Sequence, residues 1–179
     1  MFIVSHHLFK NGAVESLRGE SAVTRVNVAW LREKSELEDL LNKTAGDIYL
    51  DYPSGRSKPP LPTISLDDVL ELVPRYKQIK HFAVSNVETP LAIAAIKNRL
   101  PGNINLVPKI ETKAGVEKLA EIIDSILATH IMFDKDDLYV NVLADNKLFE
   151  ELVERARKTC REKGVKILEL QGVVFAPRE

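Results

Sequence analysis

Two periodicities take turns along this chain, and that alternation limits its fold more than any other feature. Seven short runs rich in β-branched residues, at 2–5, 23–29, 47–51, 81–85, 104–110, 129–133 and 165–170, are separated by stretches of helical spacing. The runs are continuously apolar more often than alternating, the pattern of strands buried on both faces of a parallel sheet. Leu37, Leu40 and Leu41 mark a helix over 32–42, and Ile93, Ala94 and Ile96 one over 88–99. Ser65 with Asp68 reads as a capping pair. Thr112 reads as the cap of a helix carrying Val116, Leu119, Ala120, Ile123 and Ile126, and Asp145 as the cap of a last long helix stopped by Gly164. A further helix around 12–20 is the least clearly marked. Right-handed crossovers then bring every strand's C-terminal end to one face.

Two architectures suit such a repeat, an open doubly wound sheet and a (β/α)8-type TIM barrel. No Gly-x-Gly-x-x-Gly or Walker-A sequence follows any strand, so the usual mark of a nucleotide-binding open sheet is missing. Polar residues instead recur where the runs end: Arg25 and Asn27, Asp51, Ser85, Lys109 and Glu111, and Asp137. Arg25 to Asp51, Ser85 to Glu111 and Glu111 to Asp137 are each 26 residues apart. One polar residue per repeat at the end of a buried strand describes a barrel rim, and the barrel is preferred.

Glu111 and Asp137 end adjacent runs, where their carboxylates can converge on one hard divalent cation, Mg2+ or Mn2+. The plain alternative is that both cap the segments that follow. Lys109, two residues before Glu111, lies on the same face by strand alternation. It is placed to neutralise charge developing on oxygen, or simply to pair with Glu111 or Asp137.

These residues carry a family resemblance. Val107–Leu119 (VPKIETKAGVEKL) followed by Ile131–Leu138 (IMFDKDDL) resembles the phosphoenolpyruvate/pyruvate barrel superfamily, nearest to pyruvate kinase and its pattern KIE…GVxNL…GIMVARGDL. Thr24–Val28 (TRVNV), Ile48–Asp51 (IYLD), Phe82–Val87 (FAVSNV) and Ile167–Gln171 (ILELQ) resemble further strands of that family, in the same order. The resemblance implies that Glu111 and Asp137 are the divalent-metal ligands. It implies that Lys109 steadies a transferring phosphoryl group, and that Arg25 lies on the phosphate side. Asn27 and Asp51 match a monovalent-cation (K+) site, and Ser85 a polar residue beside it.

The chain also departs from that pattern. The kinase lid domain is replaced by the Pro-rich loop 53–62, whose Arg56 and Lys58 are candidates for closing over a substrate phosphate or carboxylate. Ala29 and Trp30 stand for a serine and a histidine, so the K+ site is incomplete. Asp136 stands for the glycine whose backbone holds the substrate carboxylate, and Leu170 for a threonine implicated in proton transfer. These changes argue against ATP synthesis. Pro108, Glu111 and Thr112 also resemble the Pro-x-Ile-Glu-Thr phrase of the HpcH/HpaI aldolase and citrate lyase branch. That branch uses the same carboxylates and metal to form pyruvate enolate. It requires a base, for which His6 and His7 are the histidines on the rim; His81 and His130 open their runs and belong to the opposite face.

The expected activity is therefore a metal-dependent one on pyruvate, phosphoenolpyruvate or a related 2-oxo acid, kinase-like first and aldolase or lyase second. A non-catalytic subunit or binding module is the third reading. Trp30 is expected to be packing bulk and Cys160 a passive residue. Twenty-five basic against 26 acidic residues give a net charge of -1, which offers no basic field for nucleic acid. The longest apolar run, 91–96, is too short to span a bilayer, and one cysteine fits a reducing cytoplasm. The sequence is read as one barrel domain over 1–179. A complete barrel usually takes about 250 residues, so it is expected to be truncated to about seven strands. The gap is expected to be closed by the short N-terminal region, by sequence missing from this chain or, in preference, by a homo-oligomer or partner chain.

Overall fold

The computed structural model describes residues 2–5, 22–55 and 60–168. Seven strands, β1 (Phe2–Ser5), β2 (Ala22–Asn27), β3 (Ile48–Tyr52), β4 (Ile79–Val84), β5 (Asn105–Ile110), β6 (His130–Phe133) and β7 (Lys166–Leu168), form one sheet in sequence order. Every pairing is parallel. The sheet curls into a partial barrel, with seven of the eight strands of a (β/α)8 barrel among the described residues.

Between the strands lie α1 (Lys34–Lys43), α2 (Leu66–Leu72), α3 (Pro90–Lys97), α4 (Lys113–Glu117), α5 (Leu119–Ile126), α6 (Lys135–Asn141) and α7 (Asn146–Lys163). Alternation along the strands divides their side chains. Ile48, Leu50, Phe82, Leu106, Ile110, Ile131 and Phe133 point outward into one large core shared with Leu37, Leu41, Val69, Ile93, Leu119, Ile122 and Leu152 of the helices. The other face forms a smaller cluster inside the curl, made of Val23, Tyr49, Ala83, Val107 and Met132 with Ile3 and Leu168 beside it. A one-residue slip in any strand exchanges these two sets, so register is strongly specified.

Local chemistry starts and stops the elements as the sequence leads one to expect. Ser65, Thr112 and Asp145 each accept a backbone N–H at the start of α2, α4 and α7, caps worth about 1 kcal/mol each. Gly164 ends α7 in the left-handed region, at φ 66°. Thr89 caps α3, with Pro90 in its first turn.

The departures have local causes. The second strand stops at Asn27, because its side chain caps a short 3-10 turn over Val28–Trp30. The single helix expected after Thr112 breaks at Lys118 into α4 and α5. Helix α6 is an addition, started by Asp134, which accepts the Asp137 N–H. Trp30 is 65% exposed and is not packing bulk. The helix expected around 12–20, together with His6, His7, Arg56, Lys58 and Leu170, lies outside the described residues.

Candidate metal centre and its charged support

Two residues beyond the inner apolar cluster, the same alternation brings charged side chains to the C-terminal end of the curl. Arg25 follows Val23, Asp51 follows Tyr49, Ser85 follows Ala83, Lys109 follows Val107 and Asp134 follows Met132. Asp51, Ser85, Lys109 and Glu111 are buried, which is tolerable only because they pair.

Arg25 Nε donates to Asp51 Oδ2 at 2.9 Å, and its terminal nitrogen binds the same oxygen. Lys109 Nζ donates to Glu111 Oε1 and to Ser85 Oγ, both at 2.9 Å, and lies 3.6 Å from Asp51 Oδ1. Glu111 Oε2 accepts the Asn86 backbone N–H at 2.8 Å. That N–H is aimed by a left-handed Asn86 (φ 53°), whose side chain donates to the Ser54 carbonyl. Gly115 lets α4 approach this loop, since a Cβ there would lie 2.7 Å from the Val87 carbonyl oxygen.

Burial works against the positive charge of Arg25 and Lys109. It is outweighed by Asp51 for the first, and by Asp51 and Glu111 for the second, so both pKa values rise. Burial pushes the Glu111 carboxyl up. Lys109 and the Asn86 N–H resist that shift, and Asp134 adds to it. The 2.9 Å bond to the Lys109 ammonium holds Glu111 as a carboxylate.

Glu111, Asp134 and Asp137 each place one oxygen within 4.8 Å of the others. Oxygens on one octahedral Mg2+ lie about 3 Å apart when adjacent and about 4 Å when opposite, given bonds of about 2.1 Å. The donors are all hard oxygens, which suit Mg2+ or Mn2+ over softer metals. The residues present fit such an ion.

The sequence reading named Glu111 and Asp137 and missed Asp134. The signal was available: two-residue alternation from Met132 places Asp134 on the inner face, as it does Lys109 from Val107. Capping and clustering prove compatible, because Asp134 both starts α6 and joins the acidic group. Asn27 serves as a cap by accepting the Ala29 N–H, and Asp51 is paired with Arg25 and faces Lys109. Two side chains read as a K+ site are thus engaged with protein groups. Asp136 lies exposed in the first turn of α6, apart from the buried pairs. Cys160 is buried and its thiol is pushed up to about 11, which leaves it inert. His81 and His130 sit at the opposite end of the curl, as expected.

No family model matches the sequence, and no curated protein is similar to it at a meaningful level. Solved structures do share the fold. An HpcH/HpaI aldolase/citrate lyase family protein from Burkholderia cenocepacia J2315 matches with a TM-score of 0.66 and 12% identity, over 94% of this chain and 79% of that one. A citrate lyase from Burkholderia xenovorans LB400 matches with a TM-score of 0.72 and 10% identity, over 94% of this chain and 63% of that one. The citrate lyase beta subunit of M. tuberculosis, complexed with oxaloacetate and magnesium, gives 0.65 and 11%, over 94% and 76%. At such identities the likeness is one of fold. These three fall in the aldolase and citrate lyase branch, the second of the two weighed from the sequence, and none is a pyruvate kinase.

Proposed function

We propose that this protein is a divalent-metal-dependent enzyme acting on a 2-oxo acid through its enolate, as an aldolase or lyase of the HpcH/HpaI and citrate lyase type. The meeting of Glu111, Asp134 and Asp137 at the C-terminal end of a parallel curl is the observation that carries this reading. In barrels of this architecture that end is where active sites lie. Fold neighbours named as aldolase or citrate lyase proteins support it, one of them holding oxaloacetate and magnesium.

Glu111, Asp134 and Asp137 would hold the ion, which supplies Lewis-acid polarisation of the substrate oxygens. The chain's own residues do the rest. Asn86 and Lys109 fix Glu111 from two sides. Ser85 and Asp51 hold Lys109 in turn, and Asp51 anchors Arg25. Arg25 is the cation of the pair with more exposure, its side chain 17% accessible against 7% for Lys109, and is assigned to the substrate carboxylate. His6 or His7 is proposed as the base, and Arg56 as a second anion contact from the Pro-rich loop. Lys109 is turned inward onto Ser85, Glu111 and Asp51, which favours a supporting role over contact with a phosphoryl group. Residues 1–179 are treated as one barrel unit in this reading, closed by a second copy or a partner.

The test is thermal stability with Mn2+, and then with Mn2+ plus oxalate, a mimic of pyruvate enolate. Stabilisation by the pair, lost in Glu111→Gln and Asp137→Asn, is expected. No response to either ligand would sink the proposal. Metal-dependent exchange of pyruvate methyl protons separates an enzyme from a binding module.

A further inference from the structure

Lys109 has three N–H bonds and, among the described residues, two acceptors at bonding distance. Glu111 Oε1 and Ser85 Oγ each lie 2.9 Å away, while Asp51 Oδ1 stands at 3.6 Å, beyond a proper hydrogen bond. Asp51 Oδ1 is buried and has no hydrogen-bond partner among the described residues, whereas its Oδ2 takes both Arg25 nitrogens. A buried acceptor is thus left short of a donor by less than about 1 Å, while the Lys109 ammonium 3.6 Å away is held on a carboxylate of the acidic cluster. An ion joining Glu111, Asp134 and Asp137 would repel the ammonium from Glu111. A small swing about Ser85 relieves that repulsion and supplies the missing bond to Asp51.

We propose that Lys109 is a positioning residue that shifts from Glu111 to Asp51 when the carboxylate cluster takes up a divalent cation. Asp51, which is not one of the clustered carboxylates, thereby helps set the metal affinity. The inference rests on the metal-dependent reading above. It extends that reading by coupling the ion to the Arg25–Asp51 pair, and so to the cation assigned to the substrate.

The experiment is a double-mutant cycle on Mn2+ binding, read by calorimetry without substrate, for the wild type, Asp51→Asn, Lys109→Met and the double variant. Asp51→Asn should weaken Mn2+ binding about tenfold, and in the Lys109→Met background by less than about threefold. An equal loss in both backgrounds means through-space electrostatics alone and overturns the proposal, as does no loss in either. Because Lys109→Met strips a buried cation, a second readout uses the intact protein. The 15N signal of the Lys109 ammonium should move on adding Mg2+ in the wild type and stay in place in Asp51→Asn. A signal that ignores Mg2+ while Mn2+ binds rejects the switch alone. No metal binding by the wild type rejects the metal reading with it.

Discussion

The curl has a polar layer at each end, with the Tyr49, Ala83, Val107 and Met132 cluster between them, and the two are built on opposite principles. At the C-terminal end, full charges are buried and matched, carboxylate against ammonium or guanidinium. At the N-terminal end the hydrogen-bonded hub is made of neutral groups, with Asp47 and Lys166 at its margin. Asn105 Nδ2 lies 3.2 Å from His81 Nδ1 and 3.1 Å from His130 Nδ1, and Asn105 Oδ1 accepts from Thr129. Burial favours the neutral form of both rings. Asn105 thus bonds within the layer through both its nitrogen and its oxygen. The charged end gathers carboxylate oxygens that a cation can join, and the neutral end gathers hydrogen-bonding groups. The contrast separates a site from a structural seal within one set of strands.

Breaking the charged end should cost most. Arg25→Met leaves Asp51 buried with Lys109 as its remaining cation and should cost about 3–5 kcal/mol in denaturant unfolding. At the other end, Asn105→Leu removes one neutral hub and should cost about 1–3 kcal/mol. Equal losses would erase the distinction drawn between the two layers.

Two glycines sharpen it further. Gly115→Ala must displace the Val87 carbonyl, and with it the neighbouring Asn86 N–H that holds Glu111. It should weaken Mn2+ binding and cost about 1–3 kcal/mol of stability, the range for overpacking. Gly102→Ala, where a Cβ meets open space in the turn before β5, should stay within about 0.5 kcal/mol with metal binding unchanged.

The pH response should come from the neutral end. Burial lowers the pKa of both imidazoles. The second imidazole adds to the effect on His81 and Lys166 to that on His130, while Asp47 opposes it at His81. A lowered pKa means that the unfolded chain binds more protons, so this contribution is intact above the unfolded value, about 6.5, and lost progressively below it. Melting temperature should therefore fall as pH drops from 7 toward 5. The decline should be shallower in His81→Phe, and a variant that melts identically across that range would remove the imidazoles from the account.

How much of this was legible in advance depended on the range of the interactions. Ser65, Thr112, Asp145 and Gly164 act on residues three or four positions away, so their capping roles could be read from spacing. The strands were legible because both faces of each are buried, which leaves an apolar run that no exposed segment would carry. Where local chemistry competed with that pattern the reading overshot, as at Val28 and Ala29, which the Asn27 cap draws into a turn. Arg56, His6 and His7 lie outside the described residues.

By itself, the sequence determined that strands and helices alternate, that the strands are parallel, and that Arg25, Asp51, Ser85, Lys109 and Glu111 gather at one end. Those conclusions follow from side-chain period and from the right-handedness of βαβ crossovers, which are properties of the chain near each residue. Tertiary structure alone decided the partners. The stagger between neighbouring strands sets Arg25 against Asp51, gives Lys109 to Glu111 and not to Asp137, and brings Asp134 into the acidic group. Equal spacing along a chain says which end a residue occupies. Only the register and curl of the sheet say which charge it meets there.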